Sequence, residues 1–151
     1  KGPLPFSGTA IELYGNGAMK KRESFKEGGH HGIIEWWHQN GKPWYSANFK
    51  LFPVGDWEEP FPDGKVERWR SDFTREVVSD WENGFLKSVI TYAPDGTESG
   101  KMEDGTGTLI YYHPNGNKKK VEVYEDDPLI PSKEIWYDED GVKIDPSPAR
   151  K

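Results

Sequence analysis

Gly32-Ile33-Ile34-Glu35-Trp36-Trp37-His38-Gln39-Asn40-Gly41-Lys42 is a strand running into a turn, and the chain writes it again as Gly107-Thr108-Leu109-Ile110-Tyr111-Tyr112-His113-Pro114-Asn115-Gly116-Asn117-Lys118. Each copy opens on glycine, passes through β-branched and aromatic residues, and breaks at Asn-Gly. Residues of those two kinds suit a pleated, half-buried surface. Asn-Gly supplies the positive φ angles of a type I′ turn and is a strong hairpin signal. Neighbouring side chains on a strand point to opposite faces. Ile34, Trp36 and His38 therefore share one face, matched by Leu109, Tyr111 and His113, while Ile33, Glu35 and Trp37 share the other.

The unit extends along the chain. Turn dipeptides stand at Asn16-Gly17, Asn40-Gly41, Asp63-Gly64, Asn83-Gly84, Asp95-Gly96, Asn115-Gly116 and Asp140-Gly141. A second short strand follows most of them and often ends in an aromatic: Phe25, Phe49, Tyr92 or Tyr124. A looser turn comes next, clearest at Phe25–Gly32 and Met102–Gly107. Strand, tight turn, strand and looser turn fill about 20 to 25 residues, a period that marks repeat architectures. Residues 1–151 read as one repeat domain, with units at 8–32, 32–63, 64–104, 105–131 and 132–145 and tails at 1–7 and 146–151. An irregular insertion lies near 52–62, and Phe52–Pro62 and Asp127–Pro131 read as longer loops.

The expected fold is all-β: an elongated antiparallel sheet of tandem hairpins, on the order of 50 Å long at the usual strand spacing. An aromatic ladder on one face should form its core, with part of the other face's aromatics exposed. Gly2-Pro3-Leu4-Pro5 and Pro146-Ser147-Pro148 are the expected stoppers of the two edges.

Composition agrees. Leu, Ile, Val and Phe number 29 of 151 residues, yet seven Trp, seven Tyr and seven Phe are too much apolar area for a solvated coil. Five Ala and six Leu are few for helices, and 17 Gly with 12 Pro give frequent turns. The net charge of −6 provides no basic footprint for nucleic acid. Lys118-Lys119-Lys120 is offset by Glu122, Glu125, Asp126 and Asp127. No apolar run approaches the roughly 20 residues of a membrane-spanning helix. With no Cys there is no disulfide, thiolate metal site or Cys nucleophile, and the compartment stays open. The chain starts at Lys1, as a trimmed chain or a mature form that has lost a signal peptide or lipid anchor would.

The two quoted stretches resemble the variant form of the membrane occupation and recognition nexus (MORN) repeat. Gly8-Thr9 to Asn16-Gly17 and Glu134 to Lys143 resemble it more loosely, and Leu51–Thr74 departs from it. The resemblance implies a bacterial repeat protein, antitoxin-like in some members of the family, that binds a partner.

Candidate chemistry is sparse. His30, His31, Glu35 and His38 are the right side chains for zinc, but Glu35 and His38 lie three apart and point to opposite faces of a strand. His38 and His113 hold equivalent repeat positions, which suits a structural role. Asp138-Glu139-Asp140-Gly141 is acidic like a calcium loop but is followed by Val142-Lys143-Ile144, not the distal Glu such a loop needs. No carboxylate pair is marked for glycosidase chemistry, and no nucleophile elbow, phosphate loop or dinucleotide fingerprint occurs. No catalytic residue, metal or cofactor is expected.

The tryptophans carry the remaining signal. Trp36, Trp81 and Trp136 read as core. Trp44, Trp57 and Trp69, with Tyr45 and Phe61 beside them, lie in or near the proline-flanked segment and read as an exposed aromatic binding patch. The functional expectation is a non-enzymatic module with a macromolecular partner: a protein, as for an antitoxin- or immunity-like chain in the cytoplasm. The alternative is a cell-envelope module that binds glycan or peptidoglycan, and a hydrolase comes third.

Overall fold

The structure, a computed structural model, describes residues 4–145. Gly2, Pro3 and Pro146-Ser147-Pro148, named above as edge stoppers, lie outside the described residues. Within them there are thirteen strands and no helix: β1 (Gly8–Leu13), β2 (Met19–Lys26), β3 (Gly29–Trp37), β4 (Pro43–Val54), β5 (Trp57–Pro62), β6 (Gly64–Trp69), β7 (Arg75–Glu82), β8 (Phe85–Tyr92), β9 (Glu98–Glu103), β10 (Thr106–Tyr112), β11 (Lys118–Tyr124), β12 (Lys133–Tyr137) and β13 (Lys143–Ile144). All belong to one open antiparallel sheet, ordered as in the chain except at β5. The twelve-residue β4 divides its partners. Phe49–Val54 pair with β5, while Tyr45 and Ser46 pair with Arg68 and Glu67 of β6. β5 is thus half of a flap, and the ladder runs directly from β4 to β6. Residues 52–62, expected as a loop, form that flap hairpin because Val54 and Trp57 close a two-residue turn at Gly55-Asp56. Prolines 53, 60 and 62 fit on strands at the edge of the sheet, where a missing N–H is tolerated.

Two kinds of turn occupy the two rims of the sheet. On the first rim the loops are longer, as in residues 38–42. The His38 N–H donates to the Lys42 carbonyl at 2.8 Å and the Gly41 N–H to the His38 carbonyl at 2.9 Å. The same bonds recur at 14–18, 70–74, 93–97, 113–117 and 138–142. The side chains of Asn16, Asn40, Asp72, Asp95 and Asn115 accept the N–H two residues on, which holds the turn. The fourth residue takes positive φ and is glycine in each case but one, where Phe73 has φ 77°. On the second rim the turns are two residues long with positive φ at both, as type I′ requires: Glu27-Gly28, Asn83-Gly84 and Asp104-Gly105. The expected assignment is therefore reversed. Most Asn-Gly and Asp-Gly pairs end the longer turns, and the places read as looser turns are the tight ones. Asp63-Gly64 is no hairpin turn; it lies where the chain leaves the flap to begin β6.

After five of these six turns the returning strand carries a β-bulge. Register skips Lys20, Trp44, Glu76, Ser99 and Lys119. A bulge bends its strand and increases the local right-handed twist. Repeated five times near one rim, it coils the sheet. Arg68 on β6 lines the same groove as Tyr111 on β10 and Trp136 on β12, though β6 and β12 would be about 29 Å apart in a flat sheet.

The core sits on the inner face of this coil. Pairing register places Ile34, Ala47, Val89, Met102, Leu109 and Tyr124 on one face, all buried, and Val89, Met102, Leu109 and Tyr124 pack into one cluster. Its centre is aliphatic. Trp36, Trp81 and Trp136, expected as core, are only half-buried, because a single-layer sheet has no second layer to close over rings of that size.

Candidate binding groove

On the inner face the fifth residue of each unit and its cross-strand partners form a row. Trp36 lies 4.8 Å from the Tyr45 ring and 5.3 Å from the Trp44 ring. Trp44 is the bulged residue, which turns it to the same side as Tyr45. The Lys21 ammonium sits 5.0 Å over Trp36, and the indole N–H donates to Glu23 at 2.8 Å. Tyr45 pairs across the strands with Arg68. Arg68 Nε donates to bulged Glu76 at 2.8 Å.

From there a groove of about 360 Å³ opens between Arg68 and Glu76 on one side and Tyr111, Lys120 and Trp136 on the other. It continues towards the first rim as a second hollow of about 340 Å³ that shares Glu76, Tyr112 and Lys119 and reaches Arg70, Asp72 and His113. The Lys120 ammonium lies 5.2 Å over Tyr111 and 4.8 Å over Trp136, pairs with Glu122, and stands 3.8 Å from Glu134. Glu122 is 6 % exposed and accepts the Tyr124 hydroxyl at 3.0 Å. A buried carboxylate needs such partners to stay charged. Burial, reinforced by the Glu122 charge, pushes the Tyr111 and Tyr124 phenols well above their usual range. Both keep their protons at neutral pH. The surface offers aromatic faces, a guanidinium, an ammonium and hydroxyls side by side, a set suited to holding an extended polar chain with apolar side groups.

Side chains at the start of four of the six longer turns tie one unit to the next. The Tyr14 hydroxyl donates to the Trp37 carbonyl at 2.7 Å, His38 Nε2 to that of Trp69 at 3.2 Å, Arg70 to that of Tyr92 at 2.6 Å, and His113 Nε2 to that of Tyr137 at 2.9 Å. Asn40 and Asn115 do the same to Ser71 and Glu139. The two histidines are ties between repeats. His30 lies between the Phe25 and Phe49 rings, 4.7 and 5.9 Å away, and His31 Nδ1 is buried without a partner. Among the described residues, no three His, Asp or Glu side chains converge as a metal site would need.

The five aromatics of the expected patch fall in three places. Trp44, 40 % exposed, and half-buried Tyr45 belong to the aromatic row that leads to Arg68 and the groove. Trp57 and Phe61 are on the flap, Trp57 being 63 % exposed. Trp69 ends β6 at the first rim and stacks on Phe73, centroids 6.4 Å apart and planes at 17°. Sequence reasoning missed Arg68, Glu76, Tyr111 and Lys120 and gave Trp36 and Trp136 to the core. The signal was available: Gly64-Lys65-Val66-Glu67-Arg68-Trp69 aligns with Gly32–Trp37, which puts Arg68 in the Trp36 position. Ser71-Asp72-Phe73-Thr74 hid it, because that turn lacks its glycine.

Among the described residues no helix is long and apolar enough to cross a membrane. No curated protein matches this chain. The family model for the MORN repeat variant matches at two positions, residues 31–51 and 106–126. These are the β3–β4 and β10–β11 hairpins, which carry the Trp36, Trp44 and Tyr45 cluster of the row and, in the groove, Tyr111 and Lys120.

Proposed function

We propose that this protein is a non-catalytic repeat module that binds a macromolecular partner along the inner face of its coiled sheet. The row from Trp36, Trp44 and Tyr45 past Arg68 to Tyr111, Lys120 and Trp136 carries this reading. Repeat sheets present extended surfaces suited to binding. Trp, Tyr and Arg are also the residues that most often anchor interfaces, because they bury much area for little lost freedom. The partner is a protein. The narrower form of the proposal is an antitoxin- or immunity-like role in a bacterium, supported by the MORN-variant resemblance and by the net charge of −6, which favours encounter with a basic toxin.

A second reading, glycan binding in a cell envelope, is favoured by Trp69 and Phe73. Phe73 keeps a left-handed backbone conformation that a glycine would adopt without strain. Strain held at an exposed ring is a mark of function.

The test uses the wild-type chain and the Trp44→Ala and Arg68→Ala variants as baits in a lysate of the native host, with bound proteins identified by mass spectrometry. The proposal expects one protein retained by the wild type and lost by both variants. Equal retention by all three would remove the groove from the account. Retention of polysaccharide alone, lost with Trp69→Ala, would favour the second reading.

A further inference from the structure

The flap departs from the repeat and builds a cleft of its own. Register on the flap pairs Lys50 with Phe61, Phe52 with Glu59 and Val54 with Trp57, so Phe52, Val54, Trp57 and Phe61 share a side. That side faces the tight turn between β7 and β8. A cleft of about 410 Å³ lies between them, lined by Phe52, Val54 and Phe61 on the flap and Asn83, Gly84 and Phe85 below. The Phe52 and Phe61 rings are 6.4 Å apart. Phe61 rests on Gly84, where an added Cβ would come within 3.0 Å of it; the glycine lets the flap close down on the turn. Apolar surface stays open here: Phe85 in the cleft is 73 % exposed, and Trp57, on the same side of the flap, 63 %. An uncovered apolar patch with a polar rim marks an interaction site.

The rim is acidic. Asp56 sits at the flap tip, Glu59 on the cleft side and Glu82 just before the floor turn. Lys50 pairs with Asp63, and Lys87 lies 3.7 Å from Glu82. Glu59 accepts the Trp57 indole N–H at 3.1 Å. Among the described residues, Asp56 and Glu59 have no cationic partner.

We propose that this cleft docks a protein segment whose apolar or aromatic side chain is flanked by lysine or arginine. The side chain enters between Phe52, Phe61 and Phe85, and the flanking cations meet Asp56, Glu59 and Glu82. The cleft lies on the rim opposite the 70–74 and 113–117 turns, so it is a second surface and does not depend on the groove.

Nuclear magnetic resonance titration of the full chain tests this with two capped hexapeptides. Both carry Phe-Leu at the centre, flanked in one by lysines and in the other by glutamates. The proposal expects the lysine peptide to shift the amides of Asn83, Gly84 and Phe85 and the Trp57 indole signal, with the glutamate peptide about tenfold weaker. Glu59→Lys together with Glu82→Lys should invert that preference. Phe61→Ala, which empties one wall, should abolish binding. Phe85→Ser should do so with the spectrum otherwise unchanged, since an exposed ring supports no core. Equal affinity for both peptides, or no shift at these signals, would overturn it. Shifts confined to Arg68, Tyr111 and Lys120 would also overturn it and leave the groove standing.

Discussion

Thr91 Oγ1 accepts the backbone N–H of Ile110 at 3.1 Å, although Thr91 is on β8 and Ile110 on β10. The intervening β9 pairs with β10 only through Lys101–Glu103. Beyond that point Gly100 leaves a gap that the fully buried Thr91 fills, and Ser99 donates to the Ile110 carbonyl at 3.2 Å. Side chains thus complete the ladder where β9 stops pairing with β10. A Cβ at Gly100 would lie 2.5 Å from the Thr108 carbonyl oxygen and 2.9 Å from Thr91 Oγ1. Gly100→Ala should therefore lower stability by about 1–3 kcal/mol, as overpacking does. Thr91→Val keeps the shape and orphans the Ile110 N–H, at a cost of about 1–3 kcal/mol. Denaturant unfolding measures both, and the Ile110 amide should exchange much faster in Thr91→Val.

His38 and His113 support the joints between units. Replacing either with Ala should cost about 1 kcal/mol, the net value of one hydrogen bond. Chelator should leave the melting temperature of the wild type unchanged. A fall with chelator that zinc restores would mean that an ion binds the native state.

Alkaline stability follows from Tyr111 and Tyr124. Burial and then the Glu122 charge raise both phenols above the ordinary value of 10.0. A phenol with a raised pKa in the folded protein contributes stability that is complete below pH 10 and declines as pH rises towards the folded value. Unfolding should begin above pH 10. Absorbance of phenolate should show the tyrosines titrating in two steps, with Tyr111 and Tyr124 in the later one, which coincides with loss of the β-sheet circular dichroism signal.

Asp72 acts at the other end of the scale. The N–H and hydroxyl of Thr74 hold its carboxyl below the usual 3.8. Its contribution is present above that value and lost as pH falls through the lowered one. Asp72→Asn should be less stable than the wild type at pH 7, and the gap between their thermal melts should close as pH falls below the usual carboxyl value of 3.8.

Much of this architecture is legible in the sequence. Asn16-Gly17, Asn40-Gly41, Asn83-Gly84, Asn115-Gly116 and Asp140-Gly141 all stand at hairpin turns, and alternation assigns Ile34 and Trp36 to the core side. Turn type was not legible, because Asn-Gly serves both a type I′ turn and the end of a longer turn with a left-handed fourth residue. The groove was hidden for a related reason. Its shape comes from bulges at Trp44, Glu76 and Lys119, and a bulge adds one residue without a composition of its own. Only the coil they produce brings Arg68 to Tyr111 and Trp136, which are distant both in sequence and in a flat sheet.

Trp44 tests the proposed binding row apart from the fold. Trp44→Ala should weaken partner binding by about 1–3 kcal/mol, the range for an interface anchor, while shifting the melting temperature little, since the ring is 40 % exposed. Calorimetric titration and a thermal melt on the same sample read the two quantities.

Hydrogen exchange of the chain with and without its captured partner tests the binding face most directly. The account predicts slowed exchange in β3, β4, β6, β10, β11 and β12 around Trp36, Tyr45, Arg68, Tyr111, Lys120 and Trp136. Protection confined to outer-face positions around Ile33 and Glu35, or to the edge strand β1, would contradict it.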